Sequence, residues 1–155
     1  MKPKPMDLKF IDKFLAELDT KFVVTKDACD SYEMTAQTIR NLEKNGKVES
    51  VQIPLMKNAR FYWREYFTKS KPKKMNEALV EKFEIEFDKK FIKAEAYRKE
   101  VGLSETYLYK VLKRNTDIEC IKFFGSYYIW RDSIPKDKPQ FVKGYPEHSI
   151  IEYNF

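Results

Sequence analysis

Apolar positions along the chain change period in a fixed order. Phe10, Ile11, Phe14, Leu15 and Leu18 recur every three or four residues within 7–19, which predicts an amphipathic helix. FVV at 22–24 follows as a short apolar strand, and residues 26–32 read as a second, shorter helix. In TAQTIRNLEKNG, residues 35–46, Thr35 is placed to cap a third helix. Ile39 and Leu42 give that helix a narrow buried stripe, and Gly46 stands where a left-handed stop is expected. Val51 and Ile53 then alternate with polar neighbours, the run breaks from Pro54 to Ala59, and Phe61 and Trp63 alternate again. That predicts a strand, a loop and a returning strand.

The same order recurs when the chain is shifted by 69 residues. Lys2, Pro3, Lys4, Met6, Lys13, Phe14, Glu17, Asp19, Lys21 and Phe22 meet identical residues at 71, 72, 73, 75, 82, 83, 86, 88, 90 and 91. Met34-Thr35 falls on Leu103-Ser104, Ile39 on Leu108 and Leu42 on Val111. After small length changes, Val48-Glu49-Ser50-Val51 matches Ile118-Glu119-Cys120-Ile121, and Phe61-Tyr62-Trp63-Arg64-Glu65 matches Tyr128-Ile129-Trp130-Arg131-Asp132. The chain is a tandem duplication.

The second copy has its leading helix at 76–88, with Leu79, Val80, Phe83 and Phe87 as the stripe. A helix at 95–101, a Gly102-Leu103-Ser104 turn and a helix at 105–115 follow, with Leu108, Val111 and Leu112 facing inward and a tight hairpin turn at Gly125-Ser126. Each leading helix is expected to pack on its own repeat; pairing the two copies is the other use for it. The basic, proline-broken TKSKPKK at 68–74 reads as a linker. The expected domains are 1–69, 70–133, and a proline-rich connector with an apolar tail, 134–155, whose Ile150, Ile151, Tyr153 and Phe155 should dock somewhere.

A short helix, a tight turn, a capped second helix and a hairpin make a winged helix-turn-helix, whose second helix is the one offered to DNA. The expected fold is α+β, mainly α: a winged helix-turn-helix module twice over, each with an extra N-terminal helix and a small β-hairpin wing. VTKDACDSYEMTAQTIRNLEKNGKVESVQI, ending in RFYWRE, resembles the excisionase-type, MerR-like winged-helix domains over residues 22–65 and, more loosely, 91–132. Two departures stand out: Tyr32-Glu33-Met34 replaces the usual glycine turn, and the second copy lacks a glycine after its second helix. The resemblance implies a small cytoplasmic regulator of phage or mobile-element type, acting on double-stranded DNA in transcription, recombination or replication control.

The outward face of the helix at 35–45 carries Ala36, Gln37, Arg40, Asn41 and Lys44. Glutamine and asparagine match adenine edges, and arginine matches guanine or phosphate. These are also ordinary solvent-facing residues. In the 54–60 wing, Lys57, Asn58 and Arg60 suit phosphates or the minor groove. The second copy offers Thr106, Tyr109, Lys110 and Lys113, but Glu105 at the helix start repels phosphate, which makes it the weaker reader. Tyr107 and Tyr109 could instead meet a protein. Trp63, Trp130, Tyr62 and Tyr127 read as wing core rather than base-stacking platforms.

Charge is permissive rather than decisive. The net charge is +6, and each half carries +3 when divided after Lys69, from 13 basic against 10 acidic residues and 17 against 14. That balance leaves a second class of function open: a duplicated scaffold that binds a protein, or itself, through the second-module helix and the apolar tail. RNA is a weaker third option. Cys29 and Cys120 lack the paired ligands of a metal site and read as packed thiols; His148 has no nucleophile near it. No catalytic constellation or phosphate loop is visible, so neither enzyme activity nor a cofactor is expected. MKPKP lacks a signal-peptide core, and no run suits a membrane span.

Overall fold

The computed structural model describes residues 6–114, 118–136 and 149–154. The basic start at 1–5, helix position Asn115, the connector at 137–148 with His148, and Phe155 lie outside them. The described residues form an α+β chain with two small sheets. The described residues of Leu8–Glu84 make one compact unit, and those of Ile85–Phe155 with Met1–Asp7 make the other. No helix among the described residues is long and apolar enough to cross a membrane.

In the first unit, helix α1 (Lys9–Lys21) runs directly into strand β1 (Phe22–Val24), helix α2 (Thr25–Tyr32), helix α3 (Ala36–Lys44), strand β2 (Ser50–Ile53), a single 3-10 turn, strand β3 (Ala59–Trp63) and the short helix α4 (Glu65–Thr68). The sheet order is β1-β3-β2, antiparallel throughout. Ile11, Phe14 and Leu18 are the buried face of α1, as the periodicity predicts. The helix lies two residues further towards the C-terminus than expected, running to Lys21, immediately before β1, instead of stopping at Asp19. Glu33 takes the left-handed conformation (φ 53°), as Gly102 does after the matching helix of the second repeat (φ 75°), and so ends α2. Val23, Ala28, Ile39, Val48 and Tyr62 form a core beneath α2, α3 and the sheet.

Segment 68–74 is better anchored than a linker. Lys69 Nζ and the Lys73 amide both bond Glu65, at 2.9 and 3.1 Å, and the Met75 amide donates to Tyr66 Oη at 3.3 Å. Helix α4 is invisible to periodicity because it is one turn long. It nonetheless places Phe67 against Tyr32 and Tyr62, with ring centroids 5.1 and 6.1 Å apart.

The second repeat runs through α5 (Ala78–Lys90), β4 (Phe91–Lys93), α6 (Ala94–Val101), α7 (Glu105–Arg114), β5 (Cys120–Phe123), β6 (Ser126–Trp130) and β7 (Ile151–Tyr153). Its sheet order is β4-β6-β5-β7. Phe91 pairs with Trp130 as Phe22 pairs with Trp63, and the rings meet edge-on at 5.2 and 5.1 Å. The compact units divide within α5. Its Phe83, inside Leu8–Glu84, stacks on Phe14 at 3.7 Å, while Phe87 lies against Phe91, Phe123 and Tyr128 in the other unit.

One local expectation is corrected, and the docking of the tail is specified. The hairpin turns on Phe124-Gly125, not Gly125-Ser126, because those are the two residues with positive φ (47° and 88°), and Ser126 already pairs with Phe123. The apolar tail docks through its backbone: β7 lies parallel to β5, and the Phe124 amide donates to the Tyr153 carbonyl at 2.8 Å. Tyr153 also packs on Phe123 at 5.5 Å, whereas Ile151 stays 49% exposed.

Candidate functional site

Helix α3 is fixed at both ends by local chemistry. Thr35 Oγ1 accepts from the Thr38 amide at 3.1 Å. At the other end Gly46 (φ 74°) lets its own amide reach the Glu43 carbonyl and the Lys47 amide reach Leu42, at 3.0 and 2.9 Å. With Ile39 buried and Leu42 half-buried, Ala36, Gln37, Arg40, Asn41 and Lys44 are all exposed. Gln37 Nε2 donates to Asn41 Oδ1 at 3.1 Å, which sets the two amides in one orientation a helical turn apart.

The turn between β2 and β3 presents Lys57 and Asn58 on consecutive left-handed residues (φ 57° and 56°), closed by an Asn58 amide bond to the Ile53 carbonyl at 3.0 Å. Both are exposed. Arg60 lies inside β3, directly across from Gln52. Gln52 is exposed beside it and belongs with the candidates; only the strand register reveals this.

Glu43 ties helix to hairpin, a role the sequence pattern does not signal. Its Oε1 accepts from Ser50 Oγ at 2.7 Å and from Arg60 Nη1 at 2.9 Å, and its Oε2 accepts from Tyr62 Oη at 3.0 Å. Burial pushes this carboxyl up, but the Ser50 and Tyr62 hydrogen bonds and the Arg60 guanidinium together hold it below the usual carboxylate range. Burial, followed by the bond to Glu43, pushes the Tyr62 phenol up.

The second unit differs in kind. Thr106, Tyr109, Lys110 and Lys113 are exposed on α7, as is Glu105, and Ser104 Oγ accepts from the Tyr107 amide at 3.2 Å. Tyr107 packs against the apolar core, so of the two α7 tyrosines only Tyr109, 41% exposed, reaches solvent freely. Tyr109 meets Tyr127 edge-on at 5.5 Å. Lys122 Nζ sits 5.6 Å from the Tyr127 ring centre and 3.7 Å from Glu152 on β7. Aligned by repeat, Tyr109 replaces Arg40 and Tyr127 replaces Arg60.

Trp63, Trp130 and Tyr62 are buried in the sheets, and Tyr127 is half-buried. The buried Trp63 Nε1 has no hydrogen bond of normal geometry. The Glu65 carboxyl is held low first by Lys69 and then by that indole. Arg64 and Arg131 occupy matched positions whose role the sequence left unread. Each Nε donates to a carbonyl near the C-terminal end of its leading helix, Asp19 at 3.0 Å and Asp88 at 2.9 Å, where the helix dipole favours a cation. Cys29 is half-buried and Cys120 buried; burial pushes the Cys120 thiol up to about 12. Among the described residues no three His, Cys, Asp or Glu side chains gather as a metal site requires.

Compared with known proteins, the chain matches no family model, no curated protein and no solved structure.

Proposed function

We propose that this is a non-enzymatic protein of two winged helix-turn-helix modules that binds double-stranded DNA, with the first module as the principal reader. The observation that carries the reading is the coupling of α3 to the hairpin through Glu43 and Arg60. It holds the amides and cations of the helix, Gln37, Arg40, Asn41 and Lys44, in one rigid body with Gln52 and Arg60 of the strands. Such a set combines base-edge partners with phosphate contacts from Lys44, Lys57 and Asn58. A cytoplasmic regulator of phage or mobile-element DNA is the biological role this chemistry fits. In the second module Thr106, Lys110 and Lys113 would add backbone affinity. A different observation favours a protein partner there: the Tyr109–Tyr127 pair stands where the first module has two arginines.

Selection of a duplex from a random pool, followed by anisotropy titrations over a range of salt, tests the reading. Gln37→Ala and Arg40→Ala should each lose about 1–3 kcal/mol on the selected site and relax base preference. Lys57→Ala should weaken all sequences alike and flatten the salt slope by about one. A pool that yields no preferred duplex, or variants that all bind as the wild type does, would refute it.

A further inference from the structure

The duplication supplies an internal control for the Glu43 cluster. Aligned by repeat, Glu43, Ser50 and Tyr62 correspond to Leu112, Cys120 and Ile129, and Arg60 corresponds to Tyr127. In the second unit the first three are buried together in an apolar core with Tyr127 packed against them. The same arrangement of helix and hairpin thus closes with a dry apolar contact in one copy and with a carboxylate, a hydroxyl, a phenol and a guanidinium in the other. Partly buried ion pairs are commonly no more stabilising than well-packed apolar residues of similar volume. Fold stability therefore does not explain the polar version.

What the polar version does, and Leu112 cannot, is hold an arginine. Arg60 commits Nη1 to Glu43, and among the described residues its remaining N–H groups carry no hydrogen bond while its side chain is 44% exposed. The adjacent carboxylate cancels much of the guanidinium's long-range charge, which makes Arg60 a poor phosphate anchor. Cancellation does not remove the geometry of the donors. Guanine presents two neutral acceptors, O6 and N7, spaced for an arginine fork, and discrimination at such a contact comes from geometry. Because the tie is to α3, Arg60 is held with the helix and not with the tip of the wing.

We propose that Arg60 reads a guanine edge and that Glu43 is its positioning residue, an inference that rests on the duplex-binding reading above. Arg60 is thereby moved from the phosphate-contacting wing to the base-reading set.

The test uses the full chain on its selected duplex and on duplexes with each base pair changed in turn. Arg60→Ala, an exposed change, should lose roughly 5- to 150-fold more at one G·C pair than on the duplex in which that pair is changed. Glu43→Leu, which copies the second repeat, should free the guanidinium. Binding to unrelated duplex should tighten, the salt slope should steepen by about one, and preference for the same G·C pair should fall. In an Arg60→Ala background Glu43→Leu should leave the already lost preference for that G·C pair unchanged. If Arg60→Ala instead weakens all duplexes equally and flattens the slope by about one, Arg60 is a phosphate contact and the proposal is overturned. It is equally overturned if Glu43→Leu, folded by circular dichroism, keeps both slope and preference; Glu43→Gln, nearly isosteric, repeats the measurement should the leucine variant unfold. A wild-type chain that selects no duplex refutes the underlying reading and this one with it, whereas selection with either adverse variant result refutes this one alone.

Discussion

Replacing Trp130 or Trp63 with alanine empties the same place in each sheet, and the two losses should differ for a stated reason. Each indole is buried, at 6% and 8% exposure, with a phenylalanine edge-on beside it. Removing roughly 200 Å² of aromatic surface from a core forfeits about 5 kcal/mol at ~25 cal/mol per Å². A compact unfolded state reduces this to about 3–4.5 kcal/mol, within the range for large aromatic truncations. The edge-on pair adds about 1 kcal/mol. For Trp63 an opposing contribution enters: its buried Nε1–H lacks a proper acceptor, which already costs the native state about 1–2 kcal/mol. Trp130→Ala should therefore cost about 4–5 kcal/mol and Trp63→Ala about 3. Urea unfolding followed by circular dichroism measures both. These are the only two tryptophans, so fluorescence of the one that remains reports on the unmutated unit. Losses below about 1 kcal/mol for both would place the indoles at the surface. A larger loss at Trp63 than at Trp130 would refute the account of its nitrogen.

Three further outcomes follow from local features. The folded Glu43 carboxyl titrates below its ordinary value, so its ionisation contributes stability that is present above the unfolded pKa and lost as pH falls through the folded one. The gap in unfolding free energy between wild type and Glu43→Gln should narrow as pH is lowered from about 6 to about 3, and a constant gap would rule this out. Glu33 holds a left-handed backbone at a cost of about 1 kcal/mol that glycine avoids, so Glu33→Gly should stabilise the chain by about 0.5 kcal/mol in a thermal melt. Gly102→Ala should destabilise it by about 1 kcal/mol through backbone strain alone, since a Cβ there meets nothing within 4 Å. Opposite signs for these two substitutions are the check; a loss at Glu33→Gly would contradict the strain argument.

Much of this architecture is local and therefore legible in one dimension. Helix periods, the Thr35 cap, the Gly46 and Gly102 stops and the alternation around Pro54 depend on neighbours within a few residues, and the duplication is visible as identities at fixed offset. The helices and strands these signals predict lie within about two residues of their expected bounds, and Gly46 and Gly102 both take positive φ. The outward face of α3 was legible for the same reason: once Ile39 and Leu42 are turned inward, a 3.6-residue period leaves Gln37, Arg40, Asn41 and Lys44 outside.

Contacts between residues far apart in sequence had no such signature. Glu43 reads as one more helix charge until β2 and β3 bring Ser50, Arg60 and Tyr62 to it, and Gln52 joins the candidates only because it pairs across from Arg60. Arg64 and Arg131 acquire their roles from leading helices more than 40 residues upstream. The tail shows apolar residues but not that its backbone pairs parallel to β5 while Ile150 and Tyr153 pack beside it. Repeat identity likewise sets a boundary at 69–70, whereas packing divides the chain inside α5, where Phe83 stacks on Phe14 and Phe87 stacks on Phe91. Sequence spacing determines which way a side chain faces on its own element; only the closing of the chain determines what it meets there, because that depends on strand register and helix packing that no single segment encodes.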